Sequence, residues 1–210
     1  MRVSFCLLNF LWLLSISINT QADSICETPI RYEVIKDDNL QEGFLWMASD
    51  KRHNVFVKGD ALIIESKKKH DLRLIDGSAY RNKQDGEAYI DSIALQNVID
   101  TDEKELLVYY STFSLSTQGG AKSRHILIID IHRWRIIINM GVYDAKFFKD
   151  ENGKEQELIY QAYIDIKHNH IKITAEEDAD IDLSANEFDS GDYRRRGHCY
   201  VRQATHHTRP

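Results

Sequence analysis

The sequence is poor in proline and cysteine, and it contains none of the common catalytic signatures. Proline occurs only at Pro29 and Pro210, so only one proline interrupts the interior of the chain. A Gly-x-Ser-x-Gly elbow, a His-Glu-x-x-His helix, a phosphate-binding loop and a dinucleotide fingerprint are all absent. This lack of motifs disfavours the standard hydrolases, metalloproteases and nucleotide-dependent enzymes, and we therefore expect no enzymatic activity.

Clustered positive charge is also scarce. The net charge is −6 at pH 7, and cleavage of a leader that contains Arg2 would make the chain more negative by one unit. Nucleic acids and anionic membranes bind surfaces rich in Lys and Arg, so an acidic chain argues against both partners. After the N-terminal segment there is no second apolar run long enough to span a membrane.

The first residues have the features of a secretory signal. Arg2 is followed by an almost unbroken apolar stretch from Val3 to Ile18, and Asn19, Thr20 and Gln21 then lead to Ala22. A positive start, an apolar middle and a small residue at the exit predict a cleaved signal peptide over residues 1–22. We expect residues 23–202 to form a single β-rich domain with a disordered tail at 203–210. The predicted location is periplasmic or secreted.

Cysteine usage fits that compartment. The chain contains three cysteines, of which Cys6 lies in the predicted leader, so that Cys26 and Cys199 remain after cleavage. Two cysteines with no other partner outside the cytoplasm most simply form one disulfide. The alternative is two unrelated thiols.

The rest of the chain has the alternation of strand-forming segments and turn residues that is typical of an all-β protein. Short segments rich in β-branched and aromatic residues are bounded by Gly, Asp, Asn and Lys, and helical periodicity is nearly absent apart from a turn around Ser184–Phe188. The predicted fold is an antiparallel β-sandwich or a small, open, propeller-like β domain. The predicted strands are Phe44–Ala48, Asn54–Val57, Ala61–Glu65, Leu72–Ile75, Tyr89–Leu95, Leu106–Phe113, His125–Ile131, Trp134–Met140, Ala145–Phe148, Leu158–Ile166 and Ile171–Ala175.

Local details refine this expectation. The continuous apolar runs Ile126–Ile129 and Ile136–Ile138 are typical of central strands covered on both faces. Gly59-Asp60 predicts a hairpin turn, as does the segment around Asn169. Gly119-Gly120 predicts a flexible linker between two strands. The histidines of the strands and turns are scattered, and their spacing indicates no metal site.

An internal repeat is the most specific feature. The stretch from Ile93 to Tyr109 returns as Tyr143 to Tyr160, each with a strand, an acidic loop and a Glu-Leu-(Leu/Ile) start to the next strand. This pattern resembles the FG-GAP or VCBS-type repeat of exported proteins, in which the loop often holds calcium. The resemblance implies calcium ligands at Asp100, Asp102, Asp150 and Asn152. Acidic residues and Asn-Gly also form ordinary β turns, which is the alternative interpretation.

These features favour a binding or accessory protein, with an inhibitor-like role towards another exported protein as its partner. The sequence does not identify the residues that would bind this partner. Two alternatives stay open: a hydrolase with a carboxylate-based site in the acidic loops, and a calcium-stabilised structural module. No cofactor other than calcium is expected.

Overall fold

The computed structural model describes residues 24–36, 43–81, 86–99, 103–116, 119–167, 169–176 and 190–203. These residues form two antiparallel sheets and a short 3-10 turn at Gly77–Ala79. The strands in chain order are β1 Ser24–Cys26, β2 Thr28–Pro29, β3 Glu33–Ile35, β4 Leu45–Ser49, β5 His53–Lys58, β6 Ala61–Ser66, β7 Asp71–Ile75, β8 Glu87–Gln96, β9 Glu105–Ser116, β10 Gly119–Asp130, β11 Arg135–Lys149, β12 Glu155–Lys167, β13 His170–Glu176, β14 Gly191–Arg196 and β15 Cys199–Arg202.

The smaller sheet has the strand order β3-β7-β6-β5-β4. Its centre is the predicted hairpin, in which Lys58 pairs with Ala61 across the Gly59-Asp60 turn. Gly59 has φ +60°, a conformation that glycine adopts without the steric cost of a Cβ. The Gly-Asp prediction is therefore confirmed.

The larger sheet has the order β1-β15-β14-β13-β12-β11-β10-β9-β8, and β2 pairs with β11 beside this path. The two repeated segments are the β8–β9 and β11–β12 hairpins, and both lie in this one sheet. Separate propeller blades would place them in separate sheets. Of the two predicted architectures, the structure therefore has the antiparallel β-sandwich.

The central strand β10 contributes side chains to two hydrophobic cores. Leu127 and Ile129 pack with residues of the smaller sheet, such as Val55 and Leu62. Ile126 and Ile128 pack into a second core with residues of β13, β14 and β15. Since successive residues of a strand point to opposite faces, this arrangement explains the unbroken apolar run and confirms the prediction of a strand covered on both sides.

Two local predictions are wrong. The segments Trp134–Met140 and Ala145–Phe148 belong to one long strand, β11, which continues through a register shift opposite Arg124 and His125. Gly119 and Gly120 are not a linker, because they begin β10. A Cβ on Gly119 would lie 1.9 Å from the carbonyl oxygen of Phe147, so the glycine allows β11 to approach closely instead of loosening the chain.

The N-terminal segment, whose strands the sequence pattern did not reveal, joins two distant parts of the larger sheet. β1 pairs with β15 through Ser24–Cys26, and β2 pairs with Arg135 and Ile136 at the start of β11. Cys26 and Cys199 are directly opposite each other in the β1–β15 pair and form the predicted disulfide, with a Cα–Cα distance of 4.0 Å.

Glu27, the residue after Cys26, attaches the N-terminal segment to the larger sheet at a second place. Its side chain is fully buried, and its carboxylate accepts a hydrogen bond from Arg195 Nη2 at 2.5 Å and lies 3.2 Å from His198 Nδ1. Arg133 and Arg135 approach the same carboxylate at 3.4 and 3.9 Å. The Glu27 backbone N–H also donates to the carbonyl of His198. The carboxylate thus links the β10–β11 turn, β11 and the β14–β15 hairpin.

Removal of the disulfide should lower stability substantially. The bond joins residues separated by 173 positions, and a loop of this length corresponds to roughly 5 kcal/mol in the chain-entropy model, with about 2–5 kcal/mol being usual for native bonds. We expect Cys26→Ser with Cys199→Ser to reduce the free energy of unfolding by that amount in urea denaturation. An unchanged unfolding midpoint would contradict this expectation.

Truncation of the buried carboxylate should have a comparable effect. Glu27→Ala leaves the guanidinium groups of Arg133 and Arg195 without their shared anion, and loss of one partner of a buried ion pair costs about 3–5 kcal/mol. The measurement is chemical denaturation with the disulfide intact. Glu33→Ala, an exposed glutamate on β3, is the matched control and should change stability by less than about 0.5 kcal/mol.

Candidate functional site

The described residues that flank the two acidic loops of the repeat lie at opposite ends of β11. The loop that contains Asp100 and Asp102 joins β8 to β9 at the end of the sheet where β11 begins, whereas the loop at Asp150 follows the other end of β11. The fifteen residues of β11 span roughly 50 Å at about 3.3 Å per residue. Asp100 and Asp102 themselves lie outside the described residues.

Asp150 has a structural role in its own turn. Its carboxylate accepts hydrogen bonds from the backbone N–H groups of Asn152 and Lys154 at 2.9 Å and from the Gln156 amide at 3.1 Å. The hydrogen bond from Lys154 and that from Gln156 lower the pKa of Asp150. Gly153, with φ +76°, completes the turn. Among the described residues no group of three or more His, Cys, Asp or Glu side chains could hold a metal ion.

A second feature is an exposed apolar face where the long hairpins of the larger sheet project. Phe113 of β9 is the cross-strand partner of Lys122 of β10. Lys122 is in turn opposite Ala145 of β11, and Ala145 is opposite Ile159 of β12. The next set of cross-strand partners on the same face runs through Leu115, Gly120 and Phe147. We call Phe113, Leu115, Phe147 and Ile159 the hairpin face. Leu115 is 78% exposed, and the other three are about 40% exposed.

A groove of about 390 Å³ lies beside the hairpin face. Its walls include Tyr109, Tyr143 and Tyr163 together with the polar side chains of Asp91 and Arg124. Arg124 and Tyr143 are cross-strand partners one step further along the face that carries Phe113. Asp91 accepts a hydrogen bond from Ser111 at 2.6 Å and lies 3.9 Å from Arg124. Aromatic walls with a few polar groups are typical of a recognition pocket.

A third feature is a smaller cleft, of about 270 Å³, between the smaller sheet and the β10–β11 turn. His53 at the start of β5 and His132 in that turn face each other with ring centroids 5.3 Å apart. Asp50 lies 3.7 Å from His53 and Glu103 lies 3.7 Å from His132. The remaining lining residues are Ile64, Ser66, Lys69, Asp71, Arg73, Ile131 and Trp134.

Arg73 is held in the cleft by two aromatic rings. Its guanidinium lies 4.8 Å from the ring of Tyr32 and 4.4 Å from that of Trp134, and these rings are 4.5 Å apart. One nitrogen, Nη2, donates to Asp71 Oδ2 at 3.1 Å. Cation–π contacts of this kind fix the orientation of a guanidinium.

Three polar atoms in this cleft are buried and lack a hydrogen-bond partner among the described residues. They are His53 Nδ1, Asp71 Oδ1 and Arg73 Nε. In the described part of the chain, only Tyr200 Oη shares this property elsewhere. Because a buried polar group without a partner costs about 1–3 kcal/mol, three such atoms at one cleft are unlike the rest of the interior.

Sequence reasoning did not find either surface. His53 and His132 are far apart in the chain, and only the packing of the smaller sheet on the β10–β11 turn places them together. The tyrosines of the strands differ in their exposure: Tyr110 is buried, whereas Tyr163 is 50% exposed. No local pattern separates these cases.

Comparison with protein-family models, with curated protein sequences and with solved structures finds no significant match to this chain. In the described residues no helix is long and apolar enough to cross a membrane.

The buried imidazole of His53 should make the protein less stable in mild acid. Burial lowers the pKa of His53, although Asp50 opposes this effect and His132, Arg52 and Asp71 also contribute. The unfolded chain then takes up the proton first as the pH falls below about 6.5. Stability is complete above that pH and decreases as the pH falls towards the folded-state pKa. We expect the Tm to decrease between pH 8 and pH 5.

The variant His53→Gln should show a smaller decrease in Tm over the same range, since it has no titrating group at this position. His70→Asn is the control, because His70 is exposed and asparagine tolerates its φ of +53°. If wild type, His53→Gln and His70→Asn had the same pH dependence, the attribution to His53 would be wrong.

Proposed function

We propose that this chain is an extracytoplasmic binding protein, which acts through the hairpin face on another exported protein and catalyses no reaction itself. Export is supported by the N-terminal signal pattern and by the Cys26–Cys199 disulfide, a bond that persists in oxidising compartments. The binding role rests on one observation: four large apolar side chains are exposed on one face of the larger sheet, two on β9, one on β11 and one on β12, with Gly120 and Lys122 of β10 between them.

The hairpin face leaves large apolar side chains in contact with water, which is energetically unfavourable. A side chain such as Leu115, 78% exposed, loses favourable burial energy of about 1.5–3 kcal/mol relative to a covered position. Scattered exposed apolar residues are common, whereas a contiguous patch on neighbouring strands is typical of an interaction site. The adjacent 390 Å³ groove with its three tyrosines supplies a place for an anchoring side chain of the partner.

Charge favours a different protein over a second copy of the chain. Lys122 lies between Phe113 and Ala145 in the middle of the face, and it forms no ion pair with a described residue. A two-fold dimer through the centre of this face would bring the two copies of Lys122 together, which is unfavourable. A partner with an apolar surface and a carboxylate opposite Lys122 would complement the face.

The test is a complex between two purified proteins. Wild-type protein recovered from its native extracytoplasmic fraction should elute in size-exclusion chromatography with a stoichiometric partner, which mass spectrometry identifies and expression then supplies in pure form. Calorimetry should show that Leu115→Asp and Phe147→Asp each weaken this complex by at least about tenfold, because they place a charge in an apolar contact.

Val34→Asp is the matched control. Val34 is 64% exposed, but it lies on β3 of the smaller sheet, so its substitution should leave the affinity unchanged. Equal losses for Leu115→Asp and Val34→Asp would contradict the proposal. Self-association of wild type that Leu115→Asp abolishes would instead identify a second copy as the occupant, and the absence of any stoichiometric complex would also overturn the proposal.

A further inference from the structure

The cleft between the two sheets contains the strongest unassigned chemistry in the molecule. We propose that it binds a small anion, carboxylate or phosphate in type, which also presents a hydroxyl or ammonium group. This site is independent of the hairpin face. It is defined by His53, Lys69, Asp71, Arg73 and His132, all of which line the cleft.

The donors of the cleft favour an anion. Arg73 and Lys69 are cationic, and the two histidines can donate from their ring nitrogens. Asp71 is the one carboxylate in the lining, and its Oδ2 already accepts from Arg73. Two further carboxylates lie beside the lining histidines, Asp50 at 3.7 Å from His53 and Glu103 at 3.7 Å from His132, and Glu103 is paired with Arg52 at 2.8 Å. The lining residues themselves keep one positive charge in excess even with both imidazoles neutral. A single oxyanion would balance that charge and receive charge-assisted hydrogen bonds.

The buried atoms without a hydrogen-bond partner favour a ligand that can both donate and accept hydrogen bonds. Arg73 Nε has a hydrogen to donate, whereas Asp71 Oδ1 can only accept when ionised. An anion without a proton, such as chloride or sulfate, would supply acceptors but no donor for Asp71. A hydroxy acid, an amino acid or a protonated phosphate supplies both.

The size and walls of the cleft limit the ligand. A cleft of about 270 Å³ accommodates a ligand with the size of a small metabolite. Ile64 and Ile131 provide apolar contact, and Trp134 forms a wall whose ring already packs against Arg73. The Tyr32–Trp134 pair holds the guanidinium in place before the ligand arrives, which reduces the ordering cost of binding.

The experiment titrates the wild-type protein with four probes: glycolate, acetate, inorganic phosphate and glycerol. Calorimetry measures affinity, and side-chain NMR of His53 and His132 reports the location. Saturable binding of glycolate and phosphate, with shifts of both imidazole signals, is expected. Acetate, which lacks a hydroxyl, should bind several-fold more weakly than glycolate. Glycerol, which is neutral, should not bind.

Lys69→Ala and Lys68→Ala form the matched pair of variants. Both lysines are exposed in the β6–β7 turn, but only Lys69 lines the cleft. We expect Lys69→Ala to weaken glycolate binding by about tenfold, as for a charge-assisted hydrogen bond, and Lys68→Ala to have no effect. Asp71→Asn should reduce the preference for glycolate over acetate, with folding of each variant verified by its melting curve.

The proposal is overturned if neither glycolate nor phosphate binds saturably to the wild-type protein, or if the two lysine variants behave alike. Binding of glycerol with the affinity of glycolate would refute the preference for an anion. Shifts that are confined to residues of the hairpin face would refute the location. Loss of partner binding in Leu115→Asp leaves this proposal untouched, so the two ideas fail separately.

Discussion

The larger sheet depends on the attachment of the N-terminal segment to both of its distant regions. Strand β1 pairs with β15 and is joined to it by the Cys26–Cys199 bond, and β2 reaches the start of β11. Between them Glu27 is fully buried, and burial of an isolated carboxylate would cost several kcal/mol. The surrounding arginines offset this cost only while the β10–β11 turn and the β14–β15 hairpin remain in place. The second hydrophobic core is therefore stabilised by an electrostatic contact as well as by apolar packing.

The extent to which the sequence predicted the fold follows from the range of the interactions involved. Strand β6 was found nearly to its ends, and the apolar second half of β10 was found as well, because alternation and unbroken apolar runs are encoded within a few residues. The polar first half of β10, from Gly119 to Arg124, was missed. The strands of the N-terminal segment, β14 and β15 were missed. Their pairing is fixed by contacts such as Arg195 to Glu27, whose partners are separated by 168 positions. The disulfide was predictable despite a similar separation, since only two cysteines remained to be paired.

The candidate sites were less predictable than the fold for the same reason. The hairpin face requires the registers of β9, β10, β11 and β12 together, and a shift of one residue in any of them would turn its side chains to the opposite face. The cleft requires the smaller sheet to pack on the β10–β11 turn. In the sequence, His53 and His132 are ordinary strand-end and turn residues. Arg73 is distinguished from the other arginines only by its contacts with Tyr32 and Trp134, which the sequence does not reveal.

The overall charge gives the two surfaces different physical requirements. A chain with a net charge of −6 repels anions at long range, and screening reduces this repulsion beyond about 10 Å in ordinary salt. A small anion therefore gains its attraction only inside the cleft, where Lys69 and Arg73 are close and the surroundings exclude part of the water. Such a site discriminates by contact geometry and charge-assisted hydrogen bonds, without electrostatic steering of the approach. The hairpin face differs, because ionic screening does not weaken apolar burial and Lys122 supplies only orientation. Salt should consequently weaken occupation of the cleft far more than docking on the hairpin face.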